Sequence, residues 1–277
     1  MTDGTGTARD PIPPLLLVGC GQMGGAMLAG WLAEGLAPSV ILDRHRDTVP
    51  APHRVMPLAA DLPADFVPAL IVLATKPQKA DAVIPELARF ARHAPVLSVM
   101  AGKTVGGLTD AFAAAGAPGA VVIRAMPNTP SAIGQGMTVC YAPPPATPAQ
   151  RALCERVLSA IGDTAWVEAE DQMDAVTAVS GSGPAYVFLL AELMERAGIA
   201  QGLPPALARR IARRTVSGAG ALMEQTDVDA AELRRRVTSP GGTTQKALSV
   251  LMEADAWPAT LDAAIRAAAL RARELAS

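Results

Sequence analysis

An apolar run, Leu15-Leu16-Leu17-Val18, leads directly into Gly19-Cys20-Gly21-Gln22-Met23-Gly24. This spacing constrains the fold more than any other feature of the chain. Glycines permit a tight turn and close backbone approach, and the turn opens a predicted helix from about Met23 to Gly35. Strand, loop and helix in register form a dinucleotide-binding unit, with a pyrophosphate received at the helix N-terminus. A glycine-rich turn without a ligand is the bland alternative, and the flanking elements disfavour it.

Downstream, short apolar runs alternate with helical stretches. Strands are expected at Val40–Leu42, Ala69–Ala74, Pro95–Met100, Val121–Arg124 and Thr138–Tyr141, and a helix from about Ala80 to Arg92. Such alternation predicts a parallel, doubly wound sheet covered on both faces. A helix over Pro148–Ile161 and a last strand near Ala165–Glu168 complete this half.

From residue 169 onward the pattern is helical. Helices are expected over Asp171–Val179, Pro184–Ala197, Pro204–Glu224, Asp229–Val237, Thr243–Glu253 and Pro258–Ala276. Alanine, 56 of the 277 residues, is the best helix former, and prolines at 184, 204 and 258 sit where helices start. The fold class is therefore α/β, a Rossmann-type domain over 15–168 followed by an all-α domain over 169–277. Residues 1–14, polar and rich in Gly, Thr and Pro, are expected to form a disordered lead-in. The stretch Val187-Phe188-Leu189-Leu190 with Leu193-Met194 makes one helix apolar nearly all round, which favours burial against a second subunit.

Composition excludes several chemistries. Three scattered cysteines give no disulfide framework and fit a reducing cytoplasm. No Cys–x–x–Cys or His–x–x–x–His pairing supports a metal site, so none is expected. Nine aromatic residues and a net charge of −2 disfavour nucleic acid. Apolar runs of strand length disfavour a membrane span. No Walker-type lysine loop occurs. His45, His53 and His93 are read as surface residues, and Arg209, Arg210, Arg213 and Arg214 as a solvated stripe or subunit contact.

Asp43 follows Gly24 by 19 residues, where an acid would hold ribose hydroxyls. Arg44 and Arg46 follow at once, where arginine accommodates a 2′-phosphate. This segment leaves NAD and NADP both open.

Five motifs carry a resemblance to the pyrroline-5-carboxylate reductase family. Val18-Gly-Cys-Gly-Gln-Met23 resembles its cofactor loop. Ala74-Thr-Lys-Pro77 resembles its Ala-Val-Lys-Pro turn. Arg124-Ala-Met-Pro-Asn-Thr-Pro130, Ser180-Gly-Ser-Gly-Pro-Ala-Tyr186 and Val237-Thr-Ser-Pro-Gly-Gly-Thr-Thr244 are similar to blocks that are specific to the family in this order. The resemblance implies reduction of 1-pyrroline-5-carboxylate to L-proline with NADPH, or NADH, in a homodimer or a larger ring of dimers. It implies cofactor contacts from Val18, Gly19, Cys20, Gly21, Gln22 and Met23, from Arg44 and Arg46, from Ala74, Thr75, Lys76 and Pro77, and from Asn128 beside the nicotinamide. It implies substrate contacts from Ser239, Gly241, Gly242, Thr243 and Thr244, with Glu170 lining the site, and places Thr244 near the imine nitrogen as the catalytic hydroxyl. Where Met100 stands, the family often has a small residue.

The residues are chemically compatible with this. Ser239–Thr244 leads into a helix and offers amides and hydroxyls to a carboxylate; an ordinary Ser/Thr cap is the plainer reading of the same residues. The rival, a hydroxyacid oxidoreductase, would need a lysine on the inter-domain helix to move a proton. No lysine occurs from Ser180 to Glu224.

Overall fold

The computed structural model describes residues 11–63 and 65–276. The chain divides into two compact units, one running to Gly181 and taking in Ala269 onward, the other Ser182–Ala268.

The first unit is an eight-stranded sheet in the order β3-β2-β1-β4-β5-β6-β7-β8. Its strands are β1 (Leu15–Val18), β2 (Val40–Leu42), β3 (Arg54–Met56), β4 (Leu70–Leu73), β5 (Val96–Ser98), β6 (Val122–Met126), β7 (Gly136–Tyr141) and β8 (Gly162–Val167). Its helices are α1 (Gln22–Ala33), α2 (Ala80–Ala91), α3 (Val105–Ala114), α4 (Pro148–Leu158) and α5 (Gln172–Val176). Period-two side-chain alternation sorts each strand between two cores. Leu16, Val18, Ile71 and Leu73 pack with α2 and α3 residues such as Leu87 and Phe112. Leu15, Leu17, Leu70 and Val72 pack with Met27, Trp31 and Val157 on the other face. Trp31 is fully buried and its indole N–H donates to the Val157 carbonyl at 2.7 Å.

The sheet corrects the all-parallel expectation, because β7 runs antiparallel to β6. The link between them, residues 127–135, is a hairpin-length connection and cannot hold the crossover that parallel neighbours need. Two elements were not foreseen. β3 is three residues long, at the sheet edge, and α3 carries Gly106 and Gly107 in its first turn. Thr104 compensates, its hydroxyl accepting the Gly107 amide at 3.1 Å.

The expected lead-in also needs revision. Residues 1–10 lie outside the described residues, but Ile12 is fully buried. Its carbonyl accepts the Ala37 amide at 2.8 Å, and Pro14's accepts that of Ala69 at 2.8 Å. An isoleucine between two prolines thus seals the bottom of the sheet.

Beyond α5, Thr177–Gly181 forms a π-helical turn, so the helix expected to end at Val179 carries on in widened form to Gly181. The second unit holds α6 (Gly183–Ala200), α7 (Pro205–Glu224), α8 (Ala230–Arg236), α9 (Thr243–Leu251) and most of α10 (Trp257–Leu275). α6 and α7 approach closely where Gly198 faces Ala208; a Cβ on Gly198 would lie 3.4 Å from the Ala208 Cβ. Only Ala208 and Ala212 are buried in α7, and no residue of α6 is. Phe188, Leu189 and Leu193 are 65 %, 51 % and 45 % exposed. By length and composition alone, Gln172–Ala200 is apolar enough to cross a membrane.

Candidate active site

Strand order reverses between β1 and β4, and ligands of such sheets bind at the carboxyl ends of strands there. Gly19 follows β1 and Thr75 follows β4. Gly19 has φ +90°, and a Cβ on it would lie 2.8 Å from the Thr75 nitrogen. Gly24 has no room either, since its Cβ would strike the Gly19 carbonyl. Gly21, by contrast, has no heavy atom within 4 Å of where its Cβ would be. Two glycines therefore hold the loop closed and the third faces open space. Gly21 caps α1 without a side-chain hydrogen bond, and no acid lies in the first turn. A bare, open helix start fits a pyrophosphate.

Beside it, a cavity of about 260 Å³ is lined by Val18, Gly19, Asp43, Arg44, His45, Thr75, Lys79 and Val83, among others. Its size and mixed lining fit the adenosine end of a dinucleotide. One Asp43 oxygen accepts the Cys20 amide at 2.6 Å and the other the His45 amide at 2.7 Å. Burial pushes its acidity down, but these amides, that of Arg46 and the His45 charge outweigh it and leave the pKa below the usual carboxylate value. The Arg46 guanidinium turns back to Thr48, whose carbonyl takes its Nε–H at 3.0 Å, and to the Cys20 Sγ at 3.4 Å. Burial raises the Cys20 thiol, against the Arg46 charge. Arg44 is exposed and lines the cavity. The two arginines, expected to act alike, differ: Arg44 lines the cavity and Arg46 does not, while Lys79, which no motif marks, lines it too.

At the next strand ends, Lys76 and Ala101 are exposed, while Met100 is 2 % exposed and packs into the core. Asn128 follows β6. Its Oδ1 accepts the Met137 amide at 3.0 Å and its Nδ2 donates to the Ser180 Oγ at 3.3 Å, so it is fixed between the hairpin and the π-helical turn. Glu170 is half-buried and engaged by Arg124 at 3.1 Å and by the Val105 amide at 2.7 Å. His45 and His93 are exposed as expected, but His53 is half-buried; its Nδ1 accepts the Ser39 amide at 3.3 Å and burial lowers its pKa.

In the second unit, Ser239–Gly242 turns into α9. Gly241 has φ +73°, and its amide donates to the Gln245 Oε1 at 2.6 Å. The Gly242 amide donates to the Ser239 carbonyl at 3.0 Å. No side-chain hydrogen bond caps α9, and the first amides of a helix, here from Thr243 on, have no intrahelical acceptor. The turn uses the Gly241 and Gly242 amides for its own shape. Arg209 of the basic stripe pairs with Glu195 at 3.1 Å. Among the described residues, no group of three His, Cys, Asp or Glu side chains could hold a metal.

Known proteins match the chain over both units. A pyrroline-5-carboxylate reductase dimerisation family matches residues 170–275, and an NADP oxidoreductase, coenzyme F420-dependent, family matches 15–102. Pyrroline-5-carboxylate reductase of Synechocystis sp. is 38 % identical over 94 % of this chain and 97 % of its own. That of Pseudomonas aeruginosa is 36 % identical over 95 % and 97 %. The solved pyrroline-5-carboxylate reductase from Coxiella burnetii superposes with a TM-score of 0.86 at 30 % identity, covering 95 % of this chain and 98 % of that one. With a cofactor loop, a helical second unit and relatives aligned nearly end to end, the chain belongs to the pyrroline-5-carboxylate reductase family.

Proposed function

We propose that NADPH is the preferred reductant of this enzyme, which reduces 1-pyrroline-5-carboxylate to L-proline, the last step of proline synthesis. The observation that carries the preference is Arg44, exposed just past the end of β2 and lining the cavity beside Gly19 and Thr75, where a guanidinium can pair with a 2′-phosphate. Each Asp43 oxygen accepts one backbone amide and keeps a second lone pair, so the acid can also meet ribose hydroxyls. Arg44 and Lys79 bring positive charge to this cavity, which Asp43 and Glu86 also line, and charge-assisted hydrogen bonds from the two cations suit a 2′-phosphate. NADH remains usable, since the loop around Gly19–Met23 serves either cofactor.

When bound, the nicotinamide supplies the hydride for the C=N carbon. Val18–Met23 and Ala74–Pro77 cradle the dinucleotide, and Asn128 holds the nicotinamide side. Ser239–Thr244 receives the substrate carboxylate, with the Thr243 and Thr244 amides as donors at the start of α9. The ring nitrogen gains a proton as the carbon is reduced, and the Thr244 hydroxyl polarises that nitrogen or relays the proton from water. The exposed Phe188, Leu189 and Leu193 support a homodimer, or a ring of dimers, that covers them. Free thiols at Cys20, Cys140 and Cys154, the last raised to about 12 by burial, fit the cytoplasm.

The test mixes purified protein with 1-pyrroline-5-carboxylate and either NADPH or NADH, following cofactor oxidation and proline formation. Proline is expected with both, at higher kcat/KM with NADPH. No proline with either sinks the reading; equal efficiency sinks the preference alone.

A further inference from the structure

Among the described strand residues, Arg124 is the one charged side chain that is buried, at 2 % exposure on β6, on the face that packs α2 and α3. A buried guanidinium needs a counter-charge, and Glu170, from the turn after β8, supplies it at 3.1 Å. The same Glu170 oxygen accepts the Val105 amide at 2.7 Å. Val105 is the first residue of α3, directly after the turn Ala101–Thr104 that leaves β5. One carboxylate oxygen thus ties three segments: the start of α3, the middle of β6 and the turn that leads into α5.

Asn128 lies four residues beyond Arg124 and is itself pinned to Met137 and Ser180. The family resemblance implies Glu170 as an acid lining the substrate site. Its shared oxygen is already committed, and turning it toward an anionic substrate would strand the Arg124 charge in the core.

We infer that Glu170 is a positioning residue: acting through Arg124 and the Val105 amide, it fixes the β5 and β6 exits that set the nicotinamide and Asn128 in place. This rests on the proposed reaction, in which those exits hold the nicotinamide end of the cofactor. Glu170→Gln keeps an acceptor for Val105 but leaves Arg124 without its counter-charge. Arg124→Met with Glu170→Gln removes the charge that needed it.

The experiment measures kcat, KM for 1-pyrroline-5-carboxylate and the deuterium isotope effect from 4-deuterated NADPH in full-length wild type and both variants. Misplacement of reacting groups predicts that kcat of Glu170→Gln falls about tenfold or more, with KM nearly unchanged and a larger isotope effect. The double variant is expected to regain several-fold of the lost kcat. A raised substrate KM at unchanged kcat makes Glu170 a substrate ligand and overturns the proposal. A double variant no better than the single, or a loss of Tm with unaltered kinetics, overturns it too. If Glu170→Gln does not fold, the same split is read in Glu170→Asp, whose shorter carboxylate keeps the charge. Failure of wild type to make proline would instead sink the proposed function, before any variant is compared.

Discussion

The Asp43 carboxylate accepts the Cys20 amide at 2.6 Å, tying the end of β2 to the cofactor loop at the end of β1. The acid therefore shapes the loop, and under the proposed NADPH preference Arg44 is the residue placed to read a 2′-phosphate. Arg44→Ala is expected to raise KM for NADPH about tenfold more than KM for NADH, in line with one charge-assisted hydrogen bond. Arg46→Ala, which frees Cys20 and Thr48, should weaken both cofactors alike. Steady-state kinetics with each cofactor checks this; equal losses in Arg44→Ala would remove it from 2′-phosphate recognition.

The same carboxylate carries a pH dependence. Its pKa is lowered in the folded chain, so its contribution to stability is present above the unfolded value, about 3.9, and is lost as pH falls through the folded value. Asp43→Asn should flatten that part of an acid-unfolding curve below the ordinary carboxylate range. An unchanged acid limb would show that the Cys20 and His45 amides do not hold the charge.

Gly21 and Gly24 make a matched pair of opposite expectations. Gly21→Ala places its methyl in open space, so Tm should stay near wild type while NADPH binding falls, as the pyrophosphate loses its approach. Gly24→Ala drives its methyl into the Gly19 carbonyl and should lower Tm, by about 1–3 kcal/mol of stability. Thermal melts with and without NADPH separate the two.

Thr244→Ala should lower kcat by about 10²-fold, the lower range for a lost proton-transfer group, with NADPH affinity retained. Turnover at the wild-type rate would take the hydroxyl out of the mechanism. Cofactor fluorescence titration provides the control.

Phe188→Glu with Leu193→Glu puts two charges on the exposed apolar side of α6. Light scattering should report loss of the oligomer, and activity should fall with it, because these side chains have little packing of their own to lose. A fully active variant of unchanged mass would mean that this surface is not the subunit contact.

Strands β1, β2 and β4 were legible because each is an uninterrupted apolar run buried on both faces. The Pro-started helices were legible because proline and alanine speak locally. β3 escaped notice because Arg-Val-Met at a sheet edge carries no pattern, and the direction of β7 is set by its pairing with β6 rather than by its composition. The motif residues were placed, but their partners were not. That Cys20 would occupy Asp43, or that Glu170 would be claimed by Arg124 from 46 residues away, depends on how distant segments meet. Local spacing holds no record of that.

The backbone contact between Gly19 and Thr75 has a consequence for how this enzyme can change. The separation between the phosphate loop and the β4 exit is set by a missing methyl group, so almost any mutation at residue 19 disrupts both at once. Residues 44, 45 and 79, by contrast, end in open cavity. On the proposed cofactor reading, evolution or an engineer can therefore retune nucleotide choice far more readily at these three positions than at Gly19.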